Sequence, residues 1–153
     1  LVCIRTKFIP LAKEDKLMNV IIIASNKSSA EFPANLRVGK YLPVYKWLPE
    51  KLIKNQTVLN WVLGVEKDEQ RKLINAIVAD IDPYFLKWAI DAILHWKETS
   101  IPESVKHIHG TADKLLPYRL TKAEHTIEGG THMMTFYKHK EISELLRNLI
   151  VGG

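Results

Sequence analysis

The pattern of hydrophobic and polar residues divides the chain into three parts. Residues 19–25 read NVIIIAS, a continuous β-branched run bounded by polar residues. Such a run is typical of a strand that is buried on both faces of a parallel sheet. Residues 31–99 then follow a helical pattern that is punctuated by prolines, and from residue 105 onward short strand-like and helix-like segments alternate.

Caps and breakers mark the helices within the second part. Gly64 ends a predicted helix over residues 56–63, and Asp68 is expected to N-cap a helix over residues 69–80. Asp82 is followed by a proline, which favours the first helical turn, so we expect it to cap the next helix. The predicted buried faces of these last two helices are Leu73, Ile74, Ile77 and Val78, and Phe85, Leu86, Ala89, Ile90, Ile93 and Leu94.

The third part predicts two more strands and an amphipathic terminal helix over residues 138–149. The inward face of this helix is predicted to be Ile142, Leu145, Leu146 and Leu149. The order of elements is that of a parallel sheet with right-handed crossovers. We therefore predict an α/β fold with about three parallel strands, near residues 20–25, 105–109 and 123–128.

Composition and charge narrow the class of protein. The 153 residues carry a net charge of +5, and their lysines are scattered, not gathered into a basic stripe with interleaved aromatics. A nucleic-acid interface is therefore not expected. The single cysteine, Cys3, excludes an internal disulfide and agrees with a reducing, cytoplasmic compartment. The apolar run at residues 20–24 is far shorter than the ~20 residues that span a bilayer, so we expect no membrane span.

Two turns that contain glycine carry the candidate chemistry. Asp113 follows Gly110 after the second predicted strand, and His132 follows two glycines after the third. Ligands of open α/β sheets gather at the carboxyl ends of the strands, where these two side chains are expected to lie together. A carboxylate that accepts from one imidazole nitrogen fixes the tautomer of the histidine and stabilises its protonated form. The alternative is that Asp113 only caps the turn that follows it.

The segments around these turns resemble the carboxy-terminal part of an α/β-hydrolase. They read HIHGTADKLLP, HTIEGGTHMM and KHKEISELLRNLI, in this order. In that family an acid follows the seventh strand, and a histidine follows the eighth, ahead of the last helix. The resemblance implies that Asp113 is the acid and His132 the general base of a nucleophile–acid–histidine triad. It also implies that NVIIIAS is the sixth strand, within a core over residues 19–153, and that residues 31–99 are a helical lid.

The resemblance implies a nucleophile that this sequence does not contain. The family carries it in a G-x-S-x-G elbow upstream of the sixth strand, and no such pentapeptide occurs here. Ser25, Ser28 and Ser29 follow a strand, but no glycine allows a tight elbow there. Residues 1–18 are expected to be a remnant of the preceding helix or strand region. Cys3 has no recognisable context for a nucleophile.

We therefore expect the carboxy-terminal half of a serine-type α/β-hydrolase that acts on an ester or a similar acyl bond. The chain alone is expected to be inactive, and the amino-terminal half is expected to be required for a complete sheet. The alternative is a non-catalytic remnant of the fold that binds a ligand or a protein. The same fold serves esterases, lipases, peptidases, dehalogenases and lyases, so these reaction types stay open.

Aromatic and metal-binding residues complete the set of candidates. All four tryptophans lie within residues 31–99, where they either pack in a core or line a pocket for the apolar acyl part of a small-molecule substrate. The candidates for such a pocket are Trp47, Trp61 and Trp88. His107 and His109 are two residues apart on a strand, so their side chains lie on the same face. This spacing can bind a metal, but the sequence places no carboxylate or cysteine cluster with them as further ligands. We expect neither a metal nor a cofactor.

Overall fold

The computed structural model describes residues 20–101 and 103–151. Three parallel strands form a sheet in which β2 (Val105–Gly110) lies between β1 (Val20–Ile23) and β3 (His125–Ile127). Ile108 of β2 pairs with Ile23 on one side and with His125 on the other. The predicted parallel α/β sheet is confirmed. Asn19, Cys3 and the predicted remnant over residues 1–18 lie outside the described residues.

Helices fill the interval between β1 and β2. They are two 3₁₀ turns (Ser29–Glu31 and Val44–Lys46) and α1 (Ala34–Val38), α2 (Glu50–Ile53), α3 (Gln56–Leu63), α4 (Asp68–Asp80) and α5 (Pro83–Leu94). After β2 follow α6 (Tyr118–Thr121), then β3, α7 (Met134–Tyr137) and α8 (His139–Val151). No helix in the described ranges is long and apolar enough to cross a bilayer.

Most of the predicted helix ends are found. Gly64 ends α3 in the left-handed conformation, with φ of 69°. Asp82 accepts hydrogen bonds from two backbone N–H groups of the first turn of α5, at 2.7 and 2.9 Å. The prediction for Asp68 is wrong, because α4 begins at Asp68 itself and Lys67 precedes it. In the first turn the carboxylate of Asp68 interacts favourably with the helix dipole.

The main hydrophobic core lies between the sheet and α8. Ile108 and Ile127 on the strands pack with Met134 and Ile142 from the last two helices. Leu145, Leu146 and Leu149 pack against this cluster, so the predicted inward face of the terminal helix is confirmed. The core fixes β2 and β3 side by side, and the turns that follow these two strands are thereby brought to the same edge.

The helices between β1 and β2 are less buried than their patterns predict. In α4 the predicted face is only half correct: Ile74 and Val78 are buried, but Leu73 and Ile77 are 42% and 44% exposed. Phe85 of α5 is likewise half exposed. The buried residues of α4 pack with Val65 and residues of α3, so the helix contacts its neighbour along a narrow stripe. The flanks of each apolar face therefore remain in solvent.

The first strand is also less enclosed than its sequence predicts. Val20 is buried, but Ile21, Ile22 and Ile23 are only partly buried. Among the described residues β1 pairs with β2 alone and forms an edge of the sheet. The prediction of a strand buried on both faces is therefore wrong for most of β1.

Candidate active site

An aspartate and a histidine meet at the carboxyl edge of the sheet. Asp113 lies in the turn after β2, and His132 lies in the loop after β3. His132 Nδ1 donates to Asp113 Oδ2 across 2.8 Å. The Asp113 side chain has no exposed surface, whereas that of His132 is 20% exposed. The acid is thus sealed inside the protein, while the imidazole that it orients keeps access to solvent.

The second oxygen of Asp113 holds the acid turn itself. Asp113 Oδ1 accepts the backbone N–H of Leu116 at 2.8 Å. The turn-capping function and the pairing with His132 were alternatives in sequence, and the carboxylate performs both. Because its two oxygens have different donors, the carboxylate has one preferred orientation toward the imidazole.

The two turns touch through glycine backbones. Ala112 N–H donates to the carbonyl oxygen of Gly130 at 2.9 Å, and Gly129 N–H donates to Thr111 Oγ1 at 2.9 Å. A β-carbon on Gly110 would lie 2.1 Å from that same Gly130 oxygen, far inside contact distance. Gly110 is therefore required for the approach that brings the acid and the histidine together.

Threonine and tyrosine side chains fix the histidine loop from two other sides. Tyr137 of α7 accepts the backbone N–H of Thr131 at 2.6 Å and donates to Thr131 Oγ1 at 3.0 Å. Thr131 Oγ1 in turn donates to the carbonyl oxygen of Gly64, at the end of α3, across 3.2 Å. The residue before His132 is thus tied both to α7 and to the helical segment between β1 and β2. Sequence analysis missed Thr131 and Tyr137, because no local motif marks a contact that depends on the assembled fold.

Two histidines lie behind the acid turn. His109 Nε2 is 2.8 Å from the carbonyl oxygen of Leu116 and 3.5 Å from Asp113 Oδ2. His109 Nδ1 is 3.2 Å from His107 Nε2, and neither histidine is exposed. The described residues hold no group of three or more His, Cys, Asp or Glu side chains that could bind a metal ion. In this structure His107 and His109 contact each other, and His109 contacts the acid turn.

An ion pair between the buried Lys27 and the exposed Glu124 lies at the far end of this histidine pair. Lys27 Nζ lies 2.6 Å from Glu124 Oε1, and Glu124 Oε2 accepts the backbone N–H of His107 at 3.0 Å. Burial acts to raise the pKa of Glu124, but the hydrogen bonds from Lys27 and the backbone outweigh it and lower that pKa. Burial, His109 and Lys27 together lower the pKa of His107 from 6.5 to about 3. His107 is therefore neutral at physiological pH.

The serines after β1 do not complete the pair. Ser25 and Ser28 are buried, and the Ser29 hydroxyl donates to the carbonyl oxygen of Glu98 at 3.0 Å. Within residues 20–101 and 103–151, no hydroxyl or thiol is hydrogen-bonded to His132. That none of the three serines is the nucleophile stays a prediction.

The candidate pocket tryptophans lie on the surface. Trp47, Trp61 and Trp88 are 79%, 64% and 54% exposed, so the interpretation that they pack in a core is wrong for all three. Trp61 lies beside the acid turn, with Lys114 Nζ 5.0 Å from its ring centroid. Trp88 pairs instead with Phe85 on its own helix, at 5.6 Å between ring centroids. In the described part of the chain, only Trp61 of the three has a ring contact with the acid turn.

Comparisons with known proteins add no family to this geometry. No protein-family model matches the chain, and no curated protein and no solved structure matches it. The resemblance to α/β-hydrolases therefore stays a prediction, and the functions of Asp113 and His132 are argued from their contacts.

Proposed function

We propose that this chain is the part of a serine-type α/β-hydrolase that carries the acid and the histidine, and that the enzyme acts on an ester or a similar acyl bond. The observation that carries the proposal is the 2.8 Å hydrogen bond from His132 Nδ1 to Asp113 Oδ2. A carboxylate on Nδ1 is the arrangement that leaves Nε2 to exchange a proton with a nucleophile.

The proposed reaction divides the chemistry between these two residues. His132 Nε2 takes the proton of an attacking serine and later passes it to the leaving group. Asp113 holds the Nδ1–H tautomer and stabilises the imidazolium that forms. The serine and the donors of an oxyanion hole belong to residues outside the described ranges, because the sequence holds no G-x-S-x-G elbow.

The burial of the pair favours catalysis over a purely structural contact. A buried carboxylate is stable only when donors surround it, and Asp113 receives them from Leu116 and His132. A structural contact would be served equally well by a buried imidazole. Here the imidazole is partly exposed, and Thr131 holds its loop from two sides. This combination of a fixed loop and an accessible ring is what a general base requires.

The aromatic surface next to the acid turn supports an apolar substrate. We propose that residues 31–99 act as the lid and that Trp61, which lies beside Lys114, contacts the acyl part. A large aromatic ring beside a catalytic turn buries an apolar group well. Trp47 and Trp88 are exposed and remain the other members of the proposed pocket.

A non-catalytic binding module is a second candidate, and one observation favours it. The segment between β1 and β2 exposes many large apolar side chains, among them Tyr41, Leu42, Trp47 and Tyr84. Exposed apolar patches commonly mark a surface that contacts a protein or a ligand. Under this second function the Asp113–His132 pair would be structural, and its loss would leave binding intact.

Covalent labelling distinguishes the two functions. A fluorophosphonate reacts with an activated serine, forms an O–P bond and releases fluoride, and mass spectrometry locates the labelled residue. The polypeptide is translated with the codons that precede residue 1. We expect one labelled serine outside the described ranges, and a labelling rate that falls in His132→Ala but not in His139→Ala, a change at an exposed histidine. Labelling at an undiminished rate in His132→Ala would contradict the proposed function.

A further inference from the structure

The two buried histidines of β2 form a continuous path to the acid. His107 and His109 lie on the same face of the strand, with ring centroids 5.0 Å apart and an interplanar angle of 72°. Their facing nitrogens are 3.2 Å apart, and the other nitrogen of His109 is 2.8 Å from the carbonyl oxygen of Leu116. We call His107 and His109 together the imidazole relay.

The partners of the relay determine where its protons are. A carbonyl oxygen can only accept, so the contact with Leu116 places the proton of His109 on Nε2. The other nitrogen of His109, Nδ1, faces Nε2 of His107, and one of these two nitrogens donates to the other. The contact with Leu116 thereby assigns a proton to Nε2 of His109.

His109 of the relay contacts both Leu116 and Asp113 in the acid turn. His109 donates to the carbonyl of Leu116, while the N–H of the same residue donates to Asp113 Oδ1 at 2.8 Å. His109 Nε2 also lies 3.5 Å from Asp113 Oδ2, the oxygen that accepts from His132. Any displacement of His109 therefore moves the turn that sets the orientation of the carboxylate.

We propose that His107 and His109 are positioning residues, which hold the acid turn in register with His132 through the Nε2–H group that His109 donates to the carbonyl of Leu116. The significance of this for catalysis rests on the proposed function, because that function makes Asp113 the acid. Neither histidine has exposed surface, so neither contacts a substrate, and both act through Asp113. The ion pair of Lys27 with Glu124 lies at the end of the relay that is far from Asp113. There Glu124 also accepts the backbone N–H of His107.

The tautomers of the relay are measured directly by nuclear magnetic resonance. In the 153-residue chain with ¹⁵N-labelled histidine, long-range ¹H–¹⁵N spectra show which ring nitrogen carries the proton. At neutral pH we expect a proton on Nε2 of His109 and on Nδ1 of His132. A His109 ring whose Nε2 carries no proton would overturn the proposal.

Two substitutions separate positioning from packing. His109→Gln retains a side-chain N–H donor, whereas His109→Leu keeps bulk and loses the donor; His125→Gln is the matched control on β3. In His109→Leu we expect the Nδ1 proton of His132 to exchange with solvent about tenfold faster, the equilibrium equivalent of one lost hydrogen bond. The exchange rate should be close to wild type in His109→Gln and unchanged in His125→Gln.

Equal exchange rates in the wild-type and His109→Leu proteins would overturn the positioning role. Thermal unfolding followed by circular dichroism establishes that each variant is folded. If His109→Leu does not fold, the position of the His109 proton in the wild-type chain still decides the question. These measurements need neither a nucleophile nor a substrate, so a failure of the relay and a failure of the proposed hydrolase function are distinguishable.

Discussion

The buried His107 should make the protein sensitive to mild acid. Its pKa in the folded protein is about 3, against an ordinary value of 6.5, because burial, His109 and Lys27 oppose a positive charge there. Below the ordinary pKa the unfolded chain binds a proton that the folded chain does not. Titration of His107 therefore does not reduce the free energy of unfolding at a pH above its ordinary pKa. It reduces that free energy as the pH falls from the ordinary pKa toward the lowered pKa.

The size of the effect follows from the pKa difference. Each pH unit in this window costs about 1.4 kcal/mol of unfolding free energy. Between about pH 6.5 and about pH 5 the loss is therefore about 2 kcal/mol. Glu124, whose pKa is lowered from 4.5, adds to the loss of stability in acid only at a pH below that value. Glu31 acts in the opposite direction, since burial raises its pKa from the same value.

Urea unfolding followed by tryptophan fluorescence measures this loss. His107→Gln keeps a side-chain donor toward His109 but has no titrating ring, so it is the appropriate variant. We expect the free energy of unfolding of the wild type to fall by about 2 kcal/mol between about pH 6.5 and about pH 5, and that of the variant to fall much less. The same pH dependence in both proteins would refute the reasoning, because the slope would then come from other groups.

Three further substitutions test how the turns are held. Gly110→Ala places a β-carbon 2.1 Å from the carbonyl oxygen of Gly130, and should cost at least ~1–3 kcal/mol of stability in thermal unfolding. Gly129→Ala, where no atom lies within 4 Å, should cost only the ~1–2 kcal/mol of a left-handed alanine, and an equal loss in both would contradict the clash. Tyr137→Phe leaves the N–H of Thr131 without its acceptor and should cost about 1–2 kcal/mol in urea unfolding; no change would show that water replaces the hydroxyl.

Local rules predicted the features that depend on chain neighbours or on strand ends. The carboxyl ends of adjacent parallel strands must meet, so the sequence predicts that Asp113 and His132 lie together. The left-handed end at Gly64 and the cap at Asp82 follow from the backbone freedom of glycine and the acceptor oxygens of aspartate. These features need no knowledge of which helix packs on which.

Features that depend on packing were not predictable. Trp47 and Trp88 are exposed because the short helices around them bury only narrow stripes, and hydrophobicity alone does not tell a core face from an open one. The spacing of His107 and His109 in the sequence allows a metal site or ordinary packing and hydrogen bonding, and it does not reveal which groups they contact. The actual partner of His109, the carbonyl of Leu116, is reached only once the acid turn folds back over β2.

Ester hydrolysis tests the central claim most directly. The polypeptide translated with the codons that precede residue 1 is assayed with p-nitrophenyl esters, as wild type, as Asp113→Asn and as Asp80→Asn, a matched change at an exposed aspartate. The account predicts that kcat falls on the order of 10⁴-fold in Asp113→Asn, because an amide no longer fixes the tautomer of His132, and is unchanged in Asp80→Asn. It also predicts no turnover by the 153-residue chain alone. Wild-type kcat in Asp113→Asn would contradict the claim that Asp113 and His132 are the acid and base of a hydrolase.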